Sequence, residues 1–318
     1  MLFRNLILKV QSSIVRLGQA AVALFLLVAV FSFLSDSFLK PDNLLNILHQ
    51  TALNALLAIG MTFVMISGGI DLSVGSVVAL SSVIFGGALC NNIPIFLAII
   101  LVIIVSCACG LGNGIGVSLI SIPPFIVTLG MMSIARGLAL ILSGGRSFSD
   151  FPIAFYSLRS IESQGIPLSV FLFLFAGITA YFALKKTQVG KHIYATGGNE
   201  KAASLMGIRT HAVKIKTYVI CSGLAGVSGI ILTLRLASAQ PTFGVMYELN
   251  AIAAAVIGGV SLRGGYGSIL GAAVGALIIG TLRNGLTLLN VNVYIQQLVI
   301  GAIIIFSVAV EGLRKKLS

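Results

Sequence analysis

Residues 53–89 read LNALLAIGMTFVMISGGIDLSVGSVVALSSVIFGGAL, two apolar runs joined by Gly68-Gly69-Ile70-Asp71-Leu72-Ser73-Val74-Gly75. About 20 helical residues cross the roughly 30 Å hydrocarbon layer of a membrane, so each arm spans it or nearly so. An Asp at the centre of an inserted helix costs about 2.5 to 3.5 kcal/mol. Asp71, flanked by glycines that let the backbone turn, is therefore expected at an aqueous boundary or at a working site inside the protein.

The rest of the chain repeats this character. Hydrophobic residues make up 58% of the 318 positions and charged residues 9%, against about 25% charged in soluble domains. The apolar runs lack the period-two alternation of a barrel strand, and backbone groups in lipid must then be satisfied within each helix. The reading is an all-α polytopic membrane protein with about ten transmembrane helices, some broken or re-entrant. The net charge of +12 does not point to nucleic acid. Thirteen of the twenty Lys and Arg fall in the first 16 residues, in 185–216 and in the last five, the positive-inside pattern that places all three segments and both termini in the cytoplasm. No small-residue cleavage site follows the apolar run Ala20–Leu34, so it reads as a retained first helix.

The chain divides as one transmembrane domain over 1–318, with membrane spans over 19–310 and a cytoplasmic loop at 185–216. The expected spans are Gln19–Ser35, Ile47–Ser67, Leu72–Leu89, Ile95–Val117, Phe125–Leu142, Leu168–Leu184, Thr217–Leu234, Leu249–Leu262, Ser268–Leu282 and Tyr294–Val310. Met1–Gly18 is a basic amphipathic lead-in, Asp36–Asn46 and Ala237–Tyr247 are external, and Ser143–Pro167 is the longest external loop. Gly110, Gly112, Gly114 and Gly116 would let a neighbouring backbone approach the fourth span. Gly258-Gly259-Val260-Ser261-Leu262-Arg263-Gly264-Gly265 aligns without gaps to residues 68–75, and each stretch follows a run that opens Leu-Asn-Ala. Two glycine-rich half-repeats of this kind mark either a transport pathway or two sharply turned hairpins.

The chemistry of an enzyme is missing from the sequence. No Gly-x4-Gly-Lys-Ser/Thr is present, since His192 follows Gly190-Lys191, so this chain cannot hold nucleotide phosphates in that manner. His49, His192 and His211 lack metal spacing, and Cys90, Cys107, Cys109 and Cys221 lie in or beside apolar runs as core residues. No metal or cofactor is expected in this chain. Asp71, before Leu72-Ser73 at a helix start, reads as an N-cap first and a solute contact second.

Within the basic loop, Asn199 can cap a helix, Glu200 favours its first turn and Gly207 ends it. Such a two-turn helix carries Ala202, Ala203 and Leu205 and has no core of its own, so it must lie on lipid headgroups or dock into a partner, the alternative on composition being a solvated basic loop that only sets topology.

Several stretches together resemble the membrane-spanning permease subunits of bacterial ABC sugar importers, the ribose-type branch in particular. They are Asn46-Ile47-Leu48 with Leu56–Met61, Gly69–Ser76, Gly197-Gly198-Asn199-Glu200 with Gly207-Ile208, Arg235–Pro241 and Tyr247–Gly259. The resemblance implies a multi-pass protein of the bacterial inner membrane and a second permease copy, as a homodimer. It also implies a cytoplasmic ATP-binding subunit that uses the ATP, and a periplasmic or extracellular sugar-binding protein. On that reading a neutral sugar passes Asn54, Asp71, Ser73 and Asn113. The ATPase grips Gly198, Asn199, Glu200, Ala202, Ala203 and Leu205. The competing reading is a self-sufficient secondary transporter with Asp71 as its proton or sodium site.

Overall fold

A computed structural model describes the backbone of residues 2–163 and 167–317 and the side chains of 17–161, 167–303, 305, 306 and 309. The side chains of the basic N-terminal residues up to Arg16, Glu162 in the long external loop and the C-terminal tail from Glu311 lie outside that description.

Among the described residues thirteen helices follow one another: α1 (Leu2–Leu34), α2 (Pro41–Ile66), α3 (Val74–Cys90), α4 (Ile95–Ser118), α5 (Pro124–Ser143), α6 (Ile153–Ser163), α7 (Leu168–Lys186), α8 (Gln188–Gly198), α9 (Glu200–Leu205), α10 (Thr210–Leu236), α11 (Tyr247–Ile257), α12 (Ile269–Leu288) and α13 (Val293–Leu317). Among the described residues seven helices, α1, α2, α4, α5, α7, α10 and α12, are long and apolar enough to cross a membrane, α3 and α11 are shorter apolar helices, and α13 is apolar over Val293–Ile303. An apolar helix stands at each of the ten expected spans, and seven of the ten are long enough to cross.

Burial sorts them into layers. The apolar window of α2 is 83% buried, with α12 at 67% and α10 at 61%, against 11–22% for α1, α4, α5 and α7. A helix apolar all round and enclosed is the centre of the bundle, and the outer four turn their apolar surface to lipid. Small residues close the packing. A Cβ on Gly110 or Gly114 would press on the α10 backbone at Val219 (2.8 Å) and Ile215 (2.7 Å), while Gly112 and Gly116 face Met131 and Val127 of α5. The alternate glycines of α4 thus serve two different neighbours.

The two half-repeats are real turns in the same end of the bundle, displaced by one residue from the gap-free alignment. Gly68 (φ +90°) and Gly259 (φ +86°) are the left-handed residues that end α2 and α11. The next N–H in each case reaches back five residues, Gly69 to the Val64 carbonyl and Val260 to the Ala255 carbonyl, both at 2.9 Å. These are matching Schellman caps. Asp71 therefore corresponds to Leu262, and the second junction carries no carboxylate.

Three other expectations are corrected. The loop 143–167 contains α6, which buries Phe155 completely. The basic loop 185–216 is mostly helix, because α7 runs to Lys186, α8 follows and α10 begins at Thr210. Ala237–Tyr247 does not stay at the surface. Ala239 pairs with Phe148 and packs on Gly86, whereas Gly244 packs on Gly75. The segment therefore follows α3 for eleven residues, about 16 Å of helix rise. α11 starts at the inner end of this re-entrant stretch and is a half-length helix.

Candidate functional site

Asp71 is fully buried where α3 begins. Its Oδ1 accepts from the Ser73 backbone N–H (2.9 Å) and the Ser73 hydroxyl (2.6 Å), and Asn113 Nδ2 donates to the Ser73 hydroxyl oxygen (2.9 Å) and more weakly to Oδ1 (3.4 Å). Bonding two residues onward makes an Asx turn. Ser73 is the N-cap residue of α3, so the carboxylate secures the approach to the helix and does not cap it, contrary to the sequence expectation. Asp71 Oδ2 and Asn113 Oδ1 are buried without a hydrogen-bond partner among the described residues. Three of the four residues expected along a pathway are thus one cluster.

Sequence reading missed the cluster's wall on α10. The Ser222 hydroxyl stands beside the Asp71 carboxylate, and Tyr218, also fully buried, donates its hydroxyl to the Ile70 carbonyl at 3.3 Å. The available signal was a Tyr and a Ser four residues apart in an apolar helix, hence on one face. Arg136 was also missed. As a lone cation within the apolar α5 it was conspicuous, and its guanidinium donates to the Pro241 and Phe243 carbonyls of the re-entrant segment.

Removing the Asp71 acceptor should be costly. Asp71→Ala leaves the Ser73 N–H and hydroxyl without their buried acceptor, while Asn113 keeps its bond to the Ser73 hydroxyl, and is expected to lower stability by about 2–3 kcal/mol. Asp71→Asn retains a carbonyl oxygen for the same bonds and should lose about 1 kcal/mol or less. Melting of both purified variants in detergent checks the order.

Asn54 stands apart, twelve residues before the end of α2 and so about 18 Å along it. It is buried with Oδ1 unpartnered. Asn250 of α11, in the second Leu-Asn-Ala, is buried with Nδ2 unpartnered among the described residues, as is the hydroxyl of Thr51, one turn from Asn54. Buried polar atoms without partners are uncommon and call for a reason.

The second constellation surrounds α9. The Asn199 side chain accepts from the Ala202 N–H (3.0 Å), as its place before Glu200 required, and Gly207 (φ +83°) follows the helix end. Ala203 is fully buried, whereas Leu205 is 90% and Met206 72% exposed. Lys214 of α10 donates to Glu200 at 2.6 Å. Gly198 faces open space, but Gly197 lies at a three-way crossing. Its Cβ position is filled by the Ile66 carbonyl and by Gly265 N (2.8 Å), and Gly265 N donates to that same carbonyl (2.9 Å). α8 is further tied down by Tyr194, whose hydroxyl donates to the Gly267 carbonyl at 2.7 Å. Both glycine junctions and the α8–α9 element therefore meet at one point, and Asp71 lies three residues beyond Gly68.

Residues 43–308 match the family model described as branched-chain amino acid transport system / permease component. The ribose import permease protein of Bacillus subtilis (strain 168) is 46% identical over 297 residues, covering 93% of this chain and 92% of that protein. Its namesake in Haemophilus influenzae is 41% identical over 295 residues, covering 92% and 91%. A probable ABC transporter permease protein of Escherichia coli (strain K12) is 38% identical over 287 residues, covering 90% and 86%. No solved structure matches the chain.

Proposed function

The chain belongs to the permease-component family of import systems, and from that membership we propose that it forms the translocation pathway of an ATP-driven importer for ribose or a related monosaccharide. The observation that carries the reading is α9, a two-turn helix that buries Ala203, exposes Leu205 and Met206, and is wired through Gly197 to both junctions. An exposed apolar pair on so short a helix suits a groove on a partner. The partner is a separate ATP-binding subunit, since this chain has no phosphate-binding loop of its own.

In this account Gly198, Asn199, Glu200, Ala202, Ala203 and Leu205 form the contact, with Asn199 and Glu200 fixing the helix and Leu205 entering the groove. Displacement of α9 reaches Ile66, Gly68 and Gly265 through Gly197, and from there moves Asp71, Ser73 and Asn113 at one end of α3 and the half-helix α11. The unpartnered atoms of Asn54 and Asn250 offer an acceptor and a donor to sugar hydroxyls. A second copy of the chain completes the pathway, a sugar-binding protein delivers the solute outside, and the basic residues of 185–216 place α8, α9 and both termini in the cytoplasm. One relative's name specifies an ABC transporter, which favours the ATP-driven reading over the ion-driven alternative built on Asp71.

The family description speaks of branched-chain amino acids and the ribose import relatives of a sugar, so solute class is the part to test. Deleting the gene from its host should abolish uptake of labelled ribose at low external concentration and leave leucine uptake unchanged. Loss of leucine uptake with ribose uptake intact would overturn the assignment.

A further inference from the structure

An apolar groove of about 260 Å³ lies between α7 and α12. Phe173, Gly177, Tyr181 and Phe182 line it from α7, and Leu270 and Ala273 from α12. The missing side chain at Gly177 opens it, since a Cβ there would meet only the Ile59 Cδ1 at 3.8 Å. From Phe173 to Phe182 the α7 wall rises about 14 Å, close to the thickness of one leaflet, half of a core of about 30 Å. Lys185, one turn beyond Tyr181, donates to its hydroxyl at 2.9 Å and lies 5.1 Å from its ring centre. Lys185 and Lys186 are both exposed at that end of the groove.

We propose that this groove holds an acyl chain of an anionic phospholipid, whose headgroup phosphate is bound by Lys185 and Lys186. The charge complementarity is what selects this occupant. A wholly apolar slot one leaflet deep accepts any hydrocarbon chain, but two lysines at its mouth favour a headgroup with net negative charge. Tyr181 joins the two halves, its ring in the slot and its hydroxyl on the ammonium, as amphipathic side chains do at a membrane boundary. A helix from a second copy fits less well, because membrane helix pairs meet on small residues and this slot is walled by aromatic ones. The inference rests on the membrane placement proposed above, and its test does not depend on solute, ATP or any partner subunit.

Native mass spectrometry of the purified full-length permease tests it, with phosphatidylglycerol and phosphatidylcholine of identical chains as the two probes. The wild type is expected to retain phosphatidylglycerol preferentially. Lys185→Gln and Lys186→Gln should each weaken that retention about 5-fold, the weight of one basic side chain near an anionic surface, with phosphatidylcholine unaffected. Gly177→Leu fills the slot and should lower retention of both lipids. Equal retention of the two lipids by the wild type would overturn the proposal, as would unchanged retention in the variants. A disulfide formed between two copies through Ile178→Cys in native membranes would also overturn it, by assigning the groove to a copy-to-copy contact.

Discussion

Leu205→Asp should abolish sugar uptake by the assembled importer while the permease itself stays folded in the membrane. Leu205 is 90% exposed, so the substitution removes almost no packing from this chain and leaves its melting temperature unchanged. In the assembly the same side chain enters an apolar groove, and a charge there must be desolvated without a partner. Truncation of such a central contact costs 2 kcal/mol or more in comparable interfaces, about a 30-fold loss of affinity, and a buried charge adds to it. Uptake should fall at least that far. By contrast Glu200→Gln disturbs a pair whose glutamate is 43% exposed, and pairs of that kind are worth under about 1 kcal/mol. Co-purification of the ATP-binding subunit with each variant reads the difference directly.

Gly197→Val is expected to have the opposite signature, loss of the permease itself. Here the new side chain would occupy the place of the Ile66 carbonyl and press on Gly265 N, both backbone atoms that cannot rotate away. It would also part the Gly265 N–H from that carbonyl, a bond that joins the two junctions directly. Overpacking of this kind costs about 3 kcal/mol, to which the broken bond adds about 1 kcal/mol. Gly198→Ala, one residue on, meets no atom within 4 Å and should melt within a degree or two of the wild type. Paired melts in detergent separate the two. Equal destabilisation would remove the crossing from the account.

The sequence was most legible where a pattern is local. Apolar runs announced the ten helices, and Asn199, Glu200 and Gly207 bounded α9 to within a residue, because capping chemistry is written in adjacent positions. α8 was hidden by Thr196, Gly197 and Gly198, which look like a loop. It is a helix because Gly190 lies against the Leu184 backbone and Gly197 against Ile66, contacts that only the fold supplies. α6 was hidden by the charges of its loop, although its Phe155 is a core residue. For the buried cluster the reading was partial. Asp71 and Ser73 stood out in their own turn and Asn113 in an apolar run, but Ser222 and Tyr218 arrive from a helix some 150 positions later. The half-repeat was found with its register one residue off, since glycine identity does not reveal which glycine takes the left-handed cap.

The central claim is that this chain supplies the passage and another polypeptide supplies the energy through α9. Solute uptake by proteoliposomes tests it most directly. Liposomes containing the permease alone, with an imposed proton or sodium gradient and sugar outside, should take up nothing above the leak. Adding the ATP-binding subunit with internal ATP, and the sugar-binding protein on the other side, should produce uptake that Leu205→Asp eliminates. Gradient-driven accumulation by the permease alone would contradict the account.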